Sequence, residues 1–185
     1  MDKLKSVLLS IQPKWCELIA NGKKTIDVRK TRPKLEPPFK CYIYCTASDV
    51  HSGLIVGGGI ASLVHCCNYK GGIPIGGVIG NGKVIGEFVC DKIYEIKNCG
   101  SSFLIDNDRA LTNRIATASC LDYLDMRNYL CNKNGYGWRI SNLTIYDEPK
   151  KPSDFIASTP KSKFRAHGDN LTRPPQSWYY VEGLL

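Results

Sequence analysis

The chain has 185 residues, 43% hydrophobic and 23% charged, a balance that suits a globular protein and excludes a disordered or fibrous one. Its net charge is +8, with a pI of about 9.0; that excess favours anionic partners, nucleic acid first and anionic lipid second. The sequence holds no apolar run of about 18 residues to cross a membrane, and the apolar stretch before Gln12 and Pro13 is too short for a secretion signal, so a cytoplasmic protein is expected.

The first element is "SVLLSI" (6–11), which reads as a short buried strand. Pro13 then suits the first turn of a helix, where its missing N–H is no loss. Trp15, Leu18 and Ile19 follow at helical spacing and read as core. Asn21-Gly22 ends that helix, Gly22 being the natural left-handed cap. "TIDVR" (25–29) reads as a strand with Ile26 and Val28 on one face and Thr25, Asp27 and Arg29 on the other. "TRPKLEPPFK" is a proline-broken loop, and "CYIYCTA" (41–47) is a β-rich strand.

Residues 53–82 include ten glycines in thirty and show no steady period, so a glycine-rich insert, a loop or a lid, is expected there. "KVIGEFVCDKIYEI" (83–96) is a long strand in which Gly86 marks a bulge or a close approach. The stretch 97–118 fits no single pattern. Ser119 and Asp122 resemble a capping pair for a helix over about 120–131. "WRISNLTIYD" (138–147) is a strand whose alternation slips at Ser141 and Asn142, as at a bulge. Residues 148–176 read as a polar loop with a small turn, and "SWYYVE" (177–182) as a last strand. The expected architecture is α+β, a single domain over 1–185 built on a small mixed barrel of about six strands with flanking helices.

The nine cysteines contain no C-x-x-C pair. Cys41 and Cys45 stand four apart and Cys66 and Cys67 are adjacent, but neither doublet has a partner at zinc spacing. They read as reduced thiols, mostly small buried side chains, and no metal or cofactor is expected. "GVIGNGKV" (77–84) imitates a phosphate loop but ends in Val where Ser or Thr must meet magnesium. The G-x-G at 80–82 lacks the third spaced glycine of a dinucleotide site.

"GKKTIDVR" (22–29) resembles the G-x-K-x-x-E-x-R signature of the ASCH family in the PUA-like superfamily. Gly22, Lys24 and Arg29 match; Asp27 stands where Glu is usual. "SIQPKWCELI", "CYIYCTA", "IGEFVCDKIYEI" and "YGWRISNLTIY" resemble other family segments in the family's order, over about two thirds of the chain. The whole chain is most similar to phage- or prophage-type ASCH proteins, some ending in a similar R-P-P-Q-S-W strand. The resemblance implies a PUA-like barrel that binds RNA or modified nucleotides in a cleft beside the motif. Some relatives are hydrolases, either amidohydrolases on N4-acetylcytidine or ribonucleases. In the amidohydrolases a Glu completes a lysine-based site, which points to Glu87, although the threonine they use falls on Asp27 here.

By residue type, Lys24, Asp27 and Arg29 can converge on one cleft. Arg29 can hold a phosphate in its fork. Asp27 can accept from a base amino group or orient a water, and a desolvated Lys24 can act as a base. The same three can instead form an ion-paired network that binds nothing. Lys24, Asp27 and Glu87 are the catalytic candidates if the protein is an enzyme. The nucleic-acid candidates are Gln12, Lys14, Lys24, Asp27, Arg29, Lys30, Arg32, Trp138, Arg139 and Ser141. Six of the twelve residues 23–34 are Lys or Arg, and a second basic set runs from Lys150 and Lys151 through Lys161, Lys163 and Arg165 to Arg173. Trp178 and Tyr180 share a strand face that either closes the barrel or stacks on bases. The expected partner is RNA or a modified nucleotide or nucleoside, with no membrane; a phage-encoded factor that binds a host protein through the insert is the third reading.

Overall fold

The computed structural model describes residues 5–47, 52–65, 77–158 and 169–182. In chain order the elements are β1 (Lys5–Ile11), α1 (Pro13–Ala20), β2 (Ile26–Arg29), β3 (Phe39–Cys45), β4 (Ser52–Gly57), β5 (Ile60–His65), β6 (Val78–Ile79), β7 (Val84–Asn98), β8 (Phe103–Ile105), α2 (Arg109–Ser119), α3 (Tyr123–Leu130), β9 (Gly135–Lys150) and β10 (Trp178–Glu182). They fall into two units. The first comprises Met1–Asn21, Phe39–Phe88 and Leu143–Leu185; the second comprises Gly22–Pro38 and Val89–Asn142.

In the first unit the strand order is β10-β1-β3-β7. β1 pairs antiparallel with β10, Leu9 opposite Trp178, and parallel with β3, Leu8 opposite Tyr42. A strand flanked on both edges and covered on both faces reads as one apolar run rather than an alternation, and Val7, Leu8 and Leu9 are all fully buried. Leu8, Tyr42, Tyr44, Phe155, Tyr179 and Val181 form its core, with Tyr42 and Phe155 edge-on at 4.8 Å between centroids. The span 148–176, expected to be a polar loop with a small turn, has a short 3-10 turn at Pro152–Asp154 and also supplies buried Phe155, Ala157 and Leu171.

The described parts of the glycine-rich stretch, expected to be a loop or a lid, hold strands. β4, β5 and β6 form a three-stranded sheet of order β5-β4-β6. Gly58 and Gly59, at φ +60° and +76°, make the tight turn between β4 and β5. Leu54, Ile55 and Val56 are buried in succession, so no alternation betrays the strand. α1 holds β5 from the side: Leu63 N donates to Glu17 Oε1 at 2.8 Å and Asn21 Nδ2 to the Ala61 carbonyl at 3.1 Å. Those two side chains occupy backbone groups of β5 that another chain could otherwise pair with.

In the second unit the order is β7-β9-β2, with β8 on β7. The unassigned stretch 97–118 resolves into β8 and α2. Asp108 caps α2, accepting from Ala110 N at 2.8 Å and Leu111 N at 3.1 Å. The third helix starts later than expected. Asp122 caps it alone, accepting from Asp125 N at 2.7 Å, while Ser119 is the last residue of α2. Both helices end on left-handed cysteines, Cys120 and Cys131. Ile26, Val28, Tyr94, Ile96, Ile115 and Met126 belong to the core of this unit.

The architecture is therefore mixed α+β and sheet-dominated, as expected, with more strands and one more helix than the sequence pattern marks. Among the described residues no helix is long and apolar enough to cross a membrane. Gly86 is a close-approach glycine: a Cβ there would lie 2.4 Å from the Thr144 carbonyl oxygen and 3.0 Å from Ile145 Cδ1. Backbone cannot swing aside as a side-chain tip can, so Gly86→Ala should destabilise the chain by about 1–3 kcal/mol. Gly53→Ala, where nothing lies within 4 Å of the new methyl group, should be near neutral. Urea midpoints for the two variants check this; equal midpoints would contradict the close approach.

Candidate functional site

The segment that carries the signature motif leaves α1 through Gly22, at φ +69°, a conformation that favours glycine. Two backbone hydrogen bonds then pin it: Thr25 N to the Ala118 carbonyl at 2.8 Å, and Ile140 N to the Thr25 carbonyl at 2.9 Å. β2 pairs antiparallel with β9, Asp27 opposite Trp138 and Arg29 opposite Tyr136. Its alternation is the expected one. Ile26 and Val28 enter the core, and Asp27 and Arg29 take the other face.

That other face does not look out to solvent. Lys24 is 3% exposed, Asp27 5% and Arg29 5%. Arg29 Nε donates to Asp27 Oδ2 at 2.6 Å. Lys24 Nζ donates to the Ser119 carbonyl at 2.7 Å and lies 3.9 Å from Asp27 Oδ1. The three side chains converge, as the sequence reading required, but on one another. The Nε of Arg29 is turned to Asp27 rather than outward, as a buried guanidinium must be matched by acceptors.

Burial lowers the Lys24 pKa from the ordinary 10.5, and the Asp27 charge offsets only part of that fall. Cys90 is a buried thiol pushed up to about 12 by desolvation, with Asp27 among the lesser causes. Desolvation also raises the Tyr129 hydroxyl, with Arg29 opposing and Asp27 adding. The cluster therefore holds a lysine that gives up its proton more readily than one in water. It also holds a carboxylate–guanidinium pair, and two weakly acidic groups that feel its charges.

The remaining candidates divide by exposure. Trp138, expected beside the bulge, is fully buried and offers no stacking face. Its neighbour Arg139 is exposed and grips Asp91 with Nε at 2.6 Å and Nη2 at 2.8 Å, and the Arg139 hydrogen bond leads in holding the Asp91 carboxyl low. Ser141 Oγ donates to the Val89 carbonyl at 2.9 Å, and the slip beside it is real, Asn142 standing at φ +48°. Lys30 is exposed, its Nζ 5.4 Å from the centroid of the Tyr129 ring and 3.5 Å from Cys131 Sγ. Arg32 keeps 40% of its side chain exposed and faces Glu36 at 3.5 Å.

Gln12, Lys14 and Glu87 belong to the first unit. Gln12 and Lys14 are exposed, and Lys14 Nζ lies 4.3 Å from the Trp15 centroid. Trp15, expected in the core, is only half-buried; Cys16 and Ile19 are the residues α1 buries. Glu87 accepts from Lys40 Nζ at 2.9 Å and from Tyr146 Oη at 2.7 Å. Burial pushes its carboxyl up, but those hydrogen bonds outweigh it and hold the pKa below the usual carboxylate value. Of the second basic set, Lys150, Lys151 and Arg173 lie in the first unit; Lys161, Lys163 and Arg165 lie outside the described residues.

Sequence reasoning missed two participants. The Ser119 carbonyl, the acceptor for Lys24, is main chain and leaves no trace in residue type. Tyr129 did leave one: it stands off the Met126–Leu130 stripe that α3 buries. Among the described residues no three His, Cys, Asp or Glu side chains gather as the ligands of a metal ion would.

No family model and no curated protein matches the sequence. Solved structures do match. The crystal structure of ASCH from Zymomonas mobilis is 16% identical, with 95% of this chain and 86% of that chain covered at a TM-score of 0.54. A serine-to-alanine variant of the same protein is 16% identical, covering 97% of this chain and 90% of that one at a TM-score of 0.56. A tyrosine-to-phenylalanine variant gives 15% identity, 95% and 88% coverage and a TM-score of 0.54. At such identities the likeness is one of architecture, and it covers nearly the whole chain: this protein has the α+β fold of the Zymomonas mobilis ASCH structures.

Proposed function

We propose that the protein binds RNA or a modified nucleotide through its second unit, around Lys24, Asp27 and Arg29. The observation that carries this reading is the burial of three charges in contact. Desolvating ions costs several kcal/mol each, and an apolar set of equal volume would serve folding as well or better. A strongly perturbed ionisable cluster is more economically explained by a functional role. The second unit also concentrates positive charge, with thirteen Lys and Arg against eight Asp and Glu in its segments. In this reading the buried triad orients the ligand's polar edge, and exposed Lys23, Lys30, Arg32 and Lys34 track its phosphates.

A second reading, a hydrolase acting on an acylated nucleoside or on RNA, rests on the lowered pKa of Lys24. A neutral amine at Nζ can take a proton from an attacking water or hydroxyl, with Asp27 and Arg29 holding it in place. Glu87, ion-paired and ionised in the first unit, does not suit the general acid of such a reaction. Incubation with N4-acetylcytidine and with labelled RNA separates the two readings. Turnover lost in Lys24→Met supports the hydrolase; binding without turnover supports the module.

Binding should respond steeply to salt. If about four phosphates are neutralised, affinity for a single-stranded RNA should fall about fiftyfold between 50 and 200 mM salt. The double variant Lys30→Ala with Arg32→Ala should flatten that slope by about a third to a half. Fluorescence anisotropy measures both, and a flat response in the wild type counts against the phosphate-tracking surface.

The Lys24 shift also sets a pH dependence. Its folded pKa lies below the 10.5 of an ordinary lysine, so between those two values the unfolded chain holds a proton that the folded chain has released. Stability from this group therefore rises with pH across that window and is lower beneath it. The stability of the wild type relative to Lys24→Met should climb as pH rises toward 10.5. Urea midpoints taken between pH 7 and 10.5 check it; a constant difference would mean that burial has not displaced the proton.

A further inference from the structure

Three of the large apolar side chains most exposed to solvent, Tyr123, Leu124 and Tyr129, crowd onto the eight residues of α3, at 36%, 60% and 38% exposure. Tyr123 has a structural task, its hydroxyl donating to the Gly100 carbonyl at 3.1 Å. Tyr129 has a different setting. The C-terminal turn of α3 rests on the end of β2: a Cβ on Gly135 would meet Leu130 Cδ2 at 2.5 Å and the Arg29 carbonyl oxygen at 3.1 Å. Tyr129 is thereby carried beside Arg29 and Lys30. The Lys30 ammonium stands over its ring, 5.4 Å from the centroid.

The side chain is only partly covered. More than a third of its surface is open to solvent, and burial of the rest raises its hydroxyl pKa, with Arg29 opposing and Asp27 adding. Here a partly exposed aromatic side chain stands next to the exposed Lys30 ammonium. That combination, a π-face with a phosphate-reaching lysine, is the chemistry that grips one nucleotide of an unpaired strand.

We propose that Tyr129 is the base-stacking residue of the site and that Lys30 leaves its ring to take the adjoining phosphate, so that the ligand is single-stranded and held by at least one unpaired base. The proposal rests on the nucleic-acid reading above and names the form of the ligand. An unpaired base stacks on the exposed part of the ring. A duplex cannot present a base this way without unpairing it.

The test uses the full-length chain, an octa-adenylate RNA carrying one 2-aminopurine, the same octamer with an abasic nucleotide at the reporter position, and the matching duplex. Wild type is expected to quench 2-aminopurine and to bind the octamer about five- to a hundredfold more tightly than its abasic form. It should also bind the octamer more tightly than the duplex. Tyr129→Leu, which keeps an apolar side chain on α3, should lose the quenching and bind base-containing and abasic octamers alike. Tyr129→Phe should stay within about twofold of wild type, since the ring and not the hydroxyl stacks. A thermal melt of Tyr129→Leu matching wild type shows that the loss is local. Wild-type binding with the abasic discrimination intact in Tyr129→Leu overturns the stacking role while leaving nucleic-acid binding in place. No binding of any of the three probes by the wild type overturns both.

Discussion

Asp27 is the constraint around which the second unit is arranged. A lone buried carboxylate would be protonated or expelled. This one is kept by a guanidinium at 2.6 Å and an ammonium at 3.9 Å, and both cations are as deeply enclosed as it is. Each partner is in turn positioned from elsewhere. Lys24 is anchored to the Ser119 carbonyl at the end of α2, and Arg29 sits where β2 pairs with Tyr136 of β9. Removing Asp27 would leave two buried cations without their carboxylate, which costs far more than the trio contributes; removing one cation leaves the other paired with Asp27.

Such an arrangement is expensive as structure and informative as chemistry. The charge that matters to a ligand is divided between two layers. The buried trio supplies fixed direction and a lysine with a lowered pKa; the exposed lysines and Arg32 supply attraction that salt can screen. Arg139, though exposed, is held by Asp91 in a two-point grip, so a phosphate would have to compete with a carboxylate already in place. This division explains why a segment so rich in Lys and Arg does not simply form a solvated stripe.

The left-handed glycine after α1, the slip in β9 and the close approach at Gly86 were legible in the sequence. The glycine-rich stretch was not. Its strands bury consecutive residues, and its glycines serve both turns and strands, so no period survives. The start of α2 was hidden because Asp108 follows two residues at positive φ, Asp106 and Asn107, where turn chemistry masks a cap. The third helix was read three residues too early because Ser119 and Asp122 have the spacing of a capping pair, while only Asp122 accepts the backbone bond. Trp15 illustrates the opposite error: helical spacing placed it in the core, but the face of α1 that meets the sheets is centred on Cys16 and Ile19.

By itself, then, the sequence determined which residues would share a face, since alternation along β2 is a property of the backbone, and it determined that Lys24, Asp27 and Arg29 belong together. What surrounds that face is a matter of tertiary structure. Whether the three charges meet solvent, a ligand or one another depends on α2 ending at Ser119 and on β9 lying across β2, contacts made between residues about a hundred positions apart. No local pattern records a main-chain carbonyl that happens to arrive at a lysine. Periodicity set the direction of each side chain, and packing alone decided that this direction led inward.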